Sequence, residues 1–368
     1  MLMSKLSRAR KSENATASQL SRVCVVIPAF NEEVLVGRCI QSVLNAGLAP
    51  SQIYVVDDCS RDNTAARVRA FDGVSLLRHE HNYGKLRGLQ HAIDTYDLLG
   101  RYEFLSLLDA DSHIAPEYFS AVLDRFDEVS DAVLVSGAPY SEKYNAITAY
   151  RALEYAMTLK IYRKGQDNLG VITVAPGCAS TYRTSIFSKL DWDNKTLVED
   201  MDVTVQIHRK QLGRVVYTER AVAYTQDPRT LREYTGQLTR WYSGTWQVMK
   251  LHRIPFGFKR LDAEFALLIG EGLLYAVVAT MLPLFLYMFP AITLRALLLD
   301  QVLWAGVAVF CAVQLRRADV LTAVPLYIVM RSINCYVLLR TFWAEVICSR
   351  QTETWFSVSR YSQTPAAN

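Results

Sequence analysis

The chain is short of the features that would sort it quickly. Its seven cysteines (Cys24, Cys39, Cys59, Cys178, Cys311, Cys335 and Cys348) include no C-x-x-C pair and join no His/Cys cluster. They read as reduced thiols of a cytosolic or membrane setting, which argues against a disulfide framework. Charge is nearly balanced, 40 Lys and Arg against 36 Asp and Glu. No basic stretch interleaved with aromatics lies outside the membrane-flanking segments, so nucleic acid is not an expected partner. The first twenty residues are rich in Ser, Lys and Arg and have no apolar h-region. Neither a cleavable signal peptide nor an N-terminal anchor is expected. No internal repeat is visible.

What the chain does have is uneven. Hydrophobic residues make up 51%, high for a purely soluble protein, and they concentrate after Phe265. Glu264 to Phe289 and Ala296 to Leu315 are each long enough to span a bilayer, at about 20 residues apiece. Asp319 to Leu339 is a third such segment and carries Arg331 and Asn334, polar residues that face a bundle interior more often than lipid. Arg316 and Arg317, between the second and third segments, place that loop on the cytoplasmic side. The expected division is a polar basic tail over 1–21 and a cytoplasmic catalytic domain over 22–228. An amphipathic interface segment over 229–258, about three transmembrane helices over 259–348 and a polar tail over 349–368 complete it.

Within 22–228, short apolar strands alternate with helices. Arg22 to Pro28 is followed by a helix with Val36, Ile40, Val43 and Leu44 on one face, stopped at Gly47. Strands at Gln52 to Val56, Val74 to Leu77 and Phe104 to Leu108 follow, each ending in a polar turn. Alternation of this kind implies α/β architecture with a mostly parallel sheet, and ligands bind at the carboxyl ends of such strands. The turns carry Glu32, Asp57 and Asp58, Lys85, and the pair Asp109 and Asp111. Two carboxylates flanking Ala110 are hard oxygen ligands suited to Mg²⁺ or Mn²⁺ bound together with a substrate phosphate. Asp57-Asp58 also reads as helix N-capping through Ser60 or Asp62. Lys85 at a helix start opposes the macrodipole, which favours a phosphate nearby. Further along, strands are expected at Val133 to Ser136 and Val171 to Val174 around a helix from Tyr144 to Tyr162. Pro176-Gly177-Cys178 is a small-residue loop that permits close backbone approach. Glu199-Asp200 opens a helix to about Gln211. Its acids either complement the dipole or supply a general base. Arg229 to Leu251 is amphipathic and fits a helix lying among lipid headgroups, with a plain core helix as the competing reading.

Taken in order, Val26-Ile27-Pro28-Ala29-Phe30-Asn31-Glu32-Glu33, Val56-Asp57-Asp58-Cys59-Ser60, Gly84-Lys85, Asp109-Ala110-Asp111, Glu199-Asp200 and Gln237-x-x-Arg240-Trp241 resemble the family 2 glycosyltransferases with the GT-A fold. The likeness is to the processive membrane-embedded kind that makes cellulose, chitin, hyaluronan and poly-N-acetylglucosamine. The resemblance implies that Phe30, Glu32 and Asp57 hold the nucleotide's base and ribose, with Pro28 also in the nucleotide-sugar site and Lys85 near the nucleotide. It implies that Asp109 and Asp111 hold the diphosphate, Asp111 through the metal, and that Asp200 is the catalytic base. Arg240 would lie near the diphosphate, Gln237 and Trp241 at the acceptor channel, and Gly177 and Cys178 beside the acceptor.

The expected activity is inverting transfer from a UDP-sugar to a growing β-linked polysaccharide, at the cytoplasmic face of the cell membrane, by a multi-pass protein among membrane lipids. Transfer of one sugar to a lipid acceptor, such as a polyprenyl phosphate or glycolipid, is the alternative. Self-association into a homo-oligomer is left open by the sequence.

Overall fold

Val23 to Ile27 are wholly inaccessible to solvent, as a continuous run of β-branched and small apolar residues becomes only when a strand is covered on both faces. This strand, β1 (Val23–Ala29), is the centre of the first of two compact units. A computed structural model describes residues 15–192, 196–257, 259–353 and 358–362. Most of the expected N-terminal tail, and parts of the C-terminal one, lie outside these residues. The first unit comprises the described chain up to Ala138, with Pro176–Lys189 and Leu212–Tyr224.

Its strands are β1, β2 (Ile53–Asp57), β3 (Ser75–Arg78), β4 (Phe104–Leu107), β5 (Ser112–Ile114), β6 (Ala132–Ser141), β7 (Ser180–Arg183) and β8 (Arg214–Thr225). They form one sheet in the order β3-β2-β1-β4-β7-β6-β8-β5. The β3-β2-β1-β4 half is parallel, with Ala29 paired to Asp57 and Asp57 to Arg78. β7 then runs antiparallel to both β4 and β6. The sheet is therefore mixed, parallel across β3-β2-β1-β4 and antiparallel on both sides of β7.

Helices α1 (Val36–Asn45), α2 (Thr64–Arg69), α3 (Lys85–Tyr96) and α4 (Tyr118–Glu128) belong to this unit. On α1 the buried Val36, Cys39, Ile40 and Val43 recur at helical spacing and join the main apolar cluster. Each large aliphatic side chain so buried stabilises the fold by about 1.5–3 kcal/mol relative to exposure. Gly47, at φ +93°, follows the end of α1, a conformation that favours glycine.

The second unit comprises Pro139–Ala175, Leu190–Gln211 and the described chain from Thr225 on. It holds α5 (Ala146–Met157), α6 (Glu199–Lys210) and α7 (Leu231–Leu251). α7 starts with Thr230 and Glu233 capping reciprocally. The strand expected at Val171 to Val174 is absent. Val171, Ile172 and Ala175 are buried, but their backbone groups are satisfied otherwise. His208 Nε2 hydrogen-bonds the Ile172 carbonyl at 2.8 Å, Thr204 Oγ1 accepts from Ala175 N at 3.0 Å, and Arg163 donates to the Val174 carbonyl. With those groups engaged by side chains, no ladder forms.

Three helices follow that are long and apolar enough to cross a membrane: Arg260–Met288, Pro290–Leu315 and Ala318–Ile347. Leu267, Leu274, Leu298 and Leu303 lie among their exposed residues, an apolar surface larger than water tolerates on a monomer. Both polar residues of the third segment have partners. Arg331 lies 3.5 Å from Asp300 and over the ring of Tyr275, while Asn334 donates to Glu154 at 3.0 Å and accepts from Tyr234 at 2.7 Å.

Candidate active site

The parallel register brings the carboxyl ends of β1, β2, β3 and β4 to one edge, so the turns that follow them lie together. Asp57, closing β2, is wholly buried. It accepts from Ser60 N at 2.9 Å and faces Arg78 Nε at 3.3 Å. The turn after β1 is laced to the turn after β2. Asn31 N donates to Ser60 Oγ, Glu32 N to Thr64 Oγ1, and Arg61 N to Asn31 Oδ1, all within 2.9 Å. Glu32 is buried, Pro28 half-buried, and Phe30 exposed at 45%. The N-cap position of α2 is Asn63, which makes no side-chain cap bond, and the preceding Asp62 accepts from Thr64 N at 3.0 Å. Neither Asp57 nor Asp58 caps α2.

The Asp109/Asp111 pair sits in a tight turn between β4 and β5, closed by Ser112 N on the Asp109 carbonyl at 2.9 Å. Lys85 Nζ meets Asp109 Oδ1 at 2.8 Å, and Ser112 Oγ donates to Asp111 Oδ1 at 3.2 Å. Gly177 backs onto the ion pair. A Cβ there would lie 2.6 Å from Lys85 Nζ and 3.8 Å from the Asp109 carboxylate. The adjoining Cys178 is buried. Cys39, under the same turn, has its thiol pushed upward by burial and then by Asp111, Asp109 and Glu32. Those three carboxylates therefore share one neighbourhood. Lys85, Asp109, Asp111, Gly177 and Glu32, far apart in sequence, converge.

The remaining expected residues belong to the second unit. Asp200 lies in the first turn of α6, its Oδ1 accepting from Met201 N at 2.8 Å. α7 grips the segment leading into that turn. Arg240 donates to the Leu197 carbonyl and Leu197 N to Gln247 Oε1, each at 3.1 Å. A Cβ on Gly244 would come within 2.7 Å of the Val198 side-chain methyls, so the Val198 side chain packs directly onto the glycine of α7. Gln237 accepts from Arg151 at 2.9 Å, and the Arg151 guanidinium lies 4.9 Å from the Trp241 ring. Arg151 is a residue that sequence patterning missed. Burial opposes its charge, yet Glu154, then Tyr234, Tyr155 and Asp227, more than offset this and hold it protonated. Nothing in the local sequence marks it, since an arginine in an amphipathic helix normally reads as surface.

Among the described residues no three His, Cys, Asp or Glu side chains are grouped as a metal centre. The donor set at the β4–β5 turn is two carboxylates, one already facing an ammonium. That suits a hard divalent cation whose other ligands are water and substrate oxygens.

Residues 24–191 match the family model for glycosyl transferase family 2. That stretch is a glycosyl transferase family 2 domain. The chain is 25% identical over 244 residues to the poly-beta-1,6-N-acetyl-D-glucosamine synthase of Staphylococcus epidermidis, covering 65% of this chain and 57% of that one. It is 27% identical over 256 residues to a probable glycosyltransferase, YdaM, of Bacillus subtilis, covering 66% and 60%. The chain thus spans less than two thirds of the length of the curated relatives it matches. The structure resembles the mannosyltransferase PcManGT of Pyrobaculum calidifontis, solved in complex with GDP-Man and Mn2+. The TM-score is 0.60 and the identity 18%, over 93% of this chain and 94% of that one. At that identity the shared property is the fold, and the family 2 domain here has the mixed-sheet GT-A architecture.

Proposed function

We propose that this chain is a membrane-bound, metal-dependent, inverting glycosyltransferase that moves a sugar from a UDP-sugar to the end of a growing β-linked polysaccharide. The observation that carries the reading is the Lys85–Asp109 pair beside Asp111, at the carboxyl edge of four parallel strands in a family 2 domain. Phe30 supplies an exposed aromatic face for the base, and Glu32 and Asp57 supply acceptors for base and ribose. Asp109 orients Lys85 toward the diphosphate, and Asp111 and Asp109 are the ligands for Mg²⁺ or Mn²⁺. Such an ion, when bound, stabilises negative charge on the departing diphosphate.

The reaction forms a bond between the acceptor oxygen and the sugar's C1 and breaks the bond from C1 to the diphosphate oxygen. The acceptor's proton passes to Asp200, and the nucleoside diphosphate leaves with the electron pair. One in-line displacement inverts the anomeric centre, so an α-linked donor gives a β-linkage. Arg240 steadies the segment before Asp200 through the Leu197 carbonyl. Gln237 and Trp241 receive the acceptor's terminal sugar, and Gly177 and Cys178 border it. The three apolar helices support a multi-pass location, and Arg316 and Arg317 between the second and third support a catalytic domain on the cytoplasmic side.

A second reading is transfer of one sugar to a lipid-linked acceptor. It is favoured by a cavity of about 440 Å³ bordered by Glu154, Asp300, Trp304, Tyr327, Arg331 and Asn334, which offers polar groups among apolar helices. The two readings part on product size. Purified protein in detergent, given a panel of nucleotide sugars, yields a ladder on a gel if it extends a polymer and a single lipid-soluble band if it does not. Release of no nucleotide from any donor would contradict both.

A further inference from the structure

The Asp58 carboxylate is engaged on both oxygens. It accepts from Gly84 N at 2.7 Å, from Tyr83 N at 2.9 Å and from His79 Nδ1 at 2.8 Å. Its own amide donates to the Ala29 carbonyl at 2.9 Å, tying it to the end of β1. Gly84 has φ +84° and immediately precedes Lys85, the first residue of α3. The two amides on Asp58 therefore set the direction in which α3 starts, and with it the reach of Lys85 to Asp109.

His79 is the third partner and is buried, its side chain 6% exposed. Its second nitrogen faces His91 Nδ1 at 3.1 Å, and His91 is an exposed residue of α3. The Tyr83 ring closes the arrangement edge-on, 5.1 Å from both His79 and His91. Gly88 lets α3 approach: a Cβ there would lie 3.7 Å from His79 Cε1 and 3.2 Å from Val56. A ring bonded at both nitrogens has one orientation, and a buried carboxylate is costly to leave without its donor.

We infer that His79 is a positioning residue: clamped between Asp58 and His91, it fixes the Tyr83–Gly84 turn and so aims Lys85 at the diphosphate of the nucleotide sugar. The inference rests on the proposed donor site. His79 does not touch the substrate in this account; it acts through Asp58.

The test is calorimetric titration of UDP with Mn²⁺ into the full-length protein in detergent, with steady-state kinetics on the same samples. His79→Leu keeps bulk and removes both nitrogens. It is expected to weaken UDP binding and raise the donor KM by about tenfold, with kcat changed by less than threefold. His79→Asn puts an amide nitrogen close to where Nδ1 stands and is expected to restore binding to within about threefold of the parent. Because His79→Leu removes a buried polar group, it is paired with the surface change His91→Phe. That variant keeps the aromatic contact with Tyr83, removes the bond to His79, and is expected to raise KM about threefold without altering the melting temperature. Unchanged UDP affinity and donor KM in folded His79→Leu, or in His91→Phe should His79→Leu not fold, overturn the positioning role alone. Failure of the parent protein to bind UDP overturns the donor-site reading and this inference together.

Discussion

Lys85 and Asp109 stand 24 positions apart and meet at 2.8 Å, the ammonium arriving from the first residue of α3 and the carboxylate from the turn after β4. A lysine at a helix N-terminus works against the macrodipole. Here the opposing charge comes from another element. In the proposed donor site this pair is what directs Lys85 at the diphosphate.

Lys85→Met removes the cation that meets Asp109. Loss of a charge-assisted hydrogen bond of about 1.5–3 kcal/mol is expected to lower UDP affinity by roughly 10- to 100-fold. Titration calorimetry with UDP checks this, and unaltered affinity would separate Lys85 from the nucleotide.

Gly177→Ala tests the same place from the other side. The added Cβ would meet Lys85 Nζ at 2.6 Å, and the end of a flexible side chain yields before backbone does. The melting temperature is expected to hold while the donor KM rises severalfold. A variant with parental KM would mean that Lys85 relaxes without consequence.

Asp200→Asn keeps shape and removes basicity. General-base catalysis contributes about 10²- to 10⁴-fold, so kcat is expected to fall by that order while UDP binding persists. Turnover near the parental rate would remove Asp200 from the chemistry.

Stability has its own acid limb. Glu103 accepts from Arg22 Nε at 2.7 Å and from Arg183 at 2.6 Å. The hydrogen bond from Arg22, against some burial and with the charges of Arg22 and Arg183, holds its carboxyl below the ordinary value of 4.5. A depressed folded-state value contributes stability that is complete above the ordinary value. That contribution is lost as pH falls below 4.5 through the folded one. Melting curves of Glu103→Gln are therefore expected to fall less steeply with acid over that interval than those of the parent.

The legible parts of the sequence were those whose signal is local. The apolar run of β1 and the spacing of Val36, Ile40 and Val43 each specify an element without help from elsewhere. Val171 to Val174 looked the same locally, but His208, Thr204 and Arg163 claim its backbone, and those contacts come from other segments. Asp109 and Asp111 were visible as a pair at the end of an apolar run. Arg151 and His79 were not, because burial of a polar side chain depends on partners that only the tertiary fold supplies. Gly177 could be read as a close-approach residue, and the structure identifies the Lys85 ammonium as what approaches.

The central claim is that the acidic edge holds a sugar nucleotide through a divalent cation. The direct test is nucleotide release from a UDP-sugar by the purified protein before chelation, after removal of all divalent ions, and after return of Mn²⁺ or Mg²⁺. Release is expected to drop to background on chelation and to recover on return of the metal in the parent, but not in Asp111→Asn. Equal turnover with and without divalent ions, in parent and variant alike, would contradict the account.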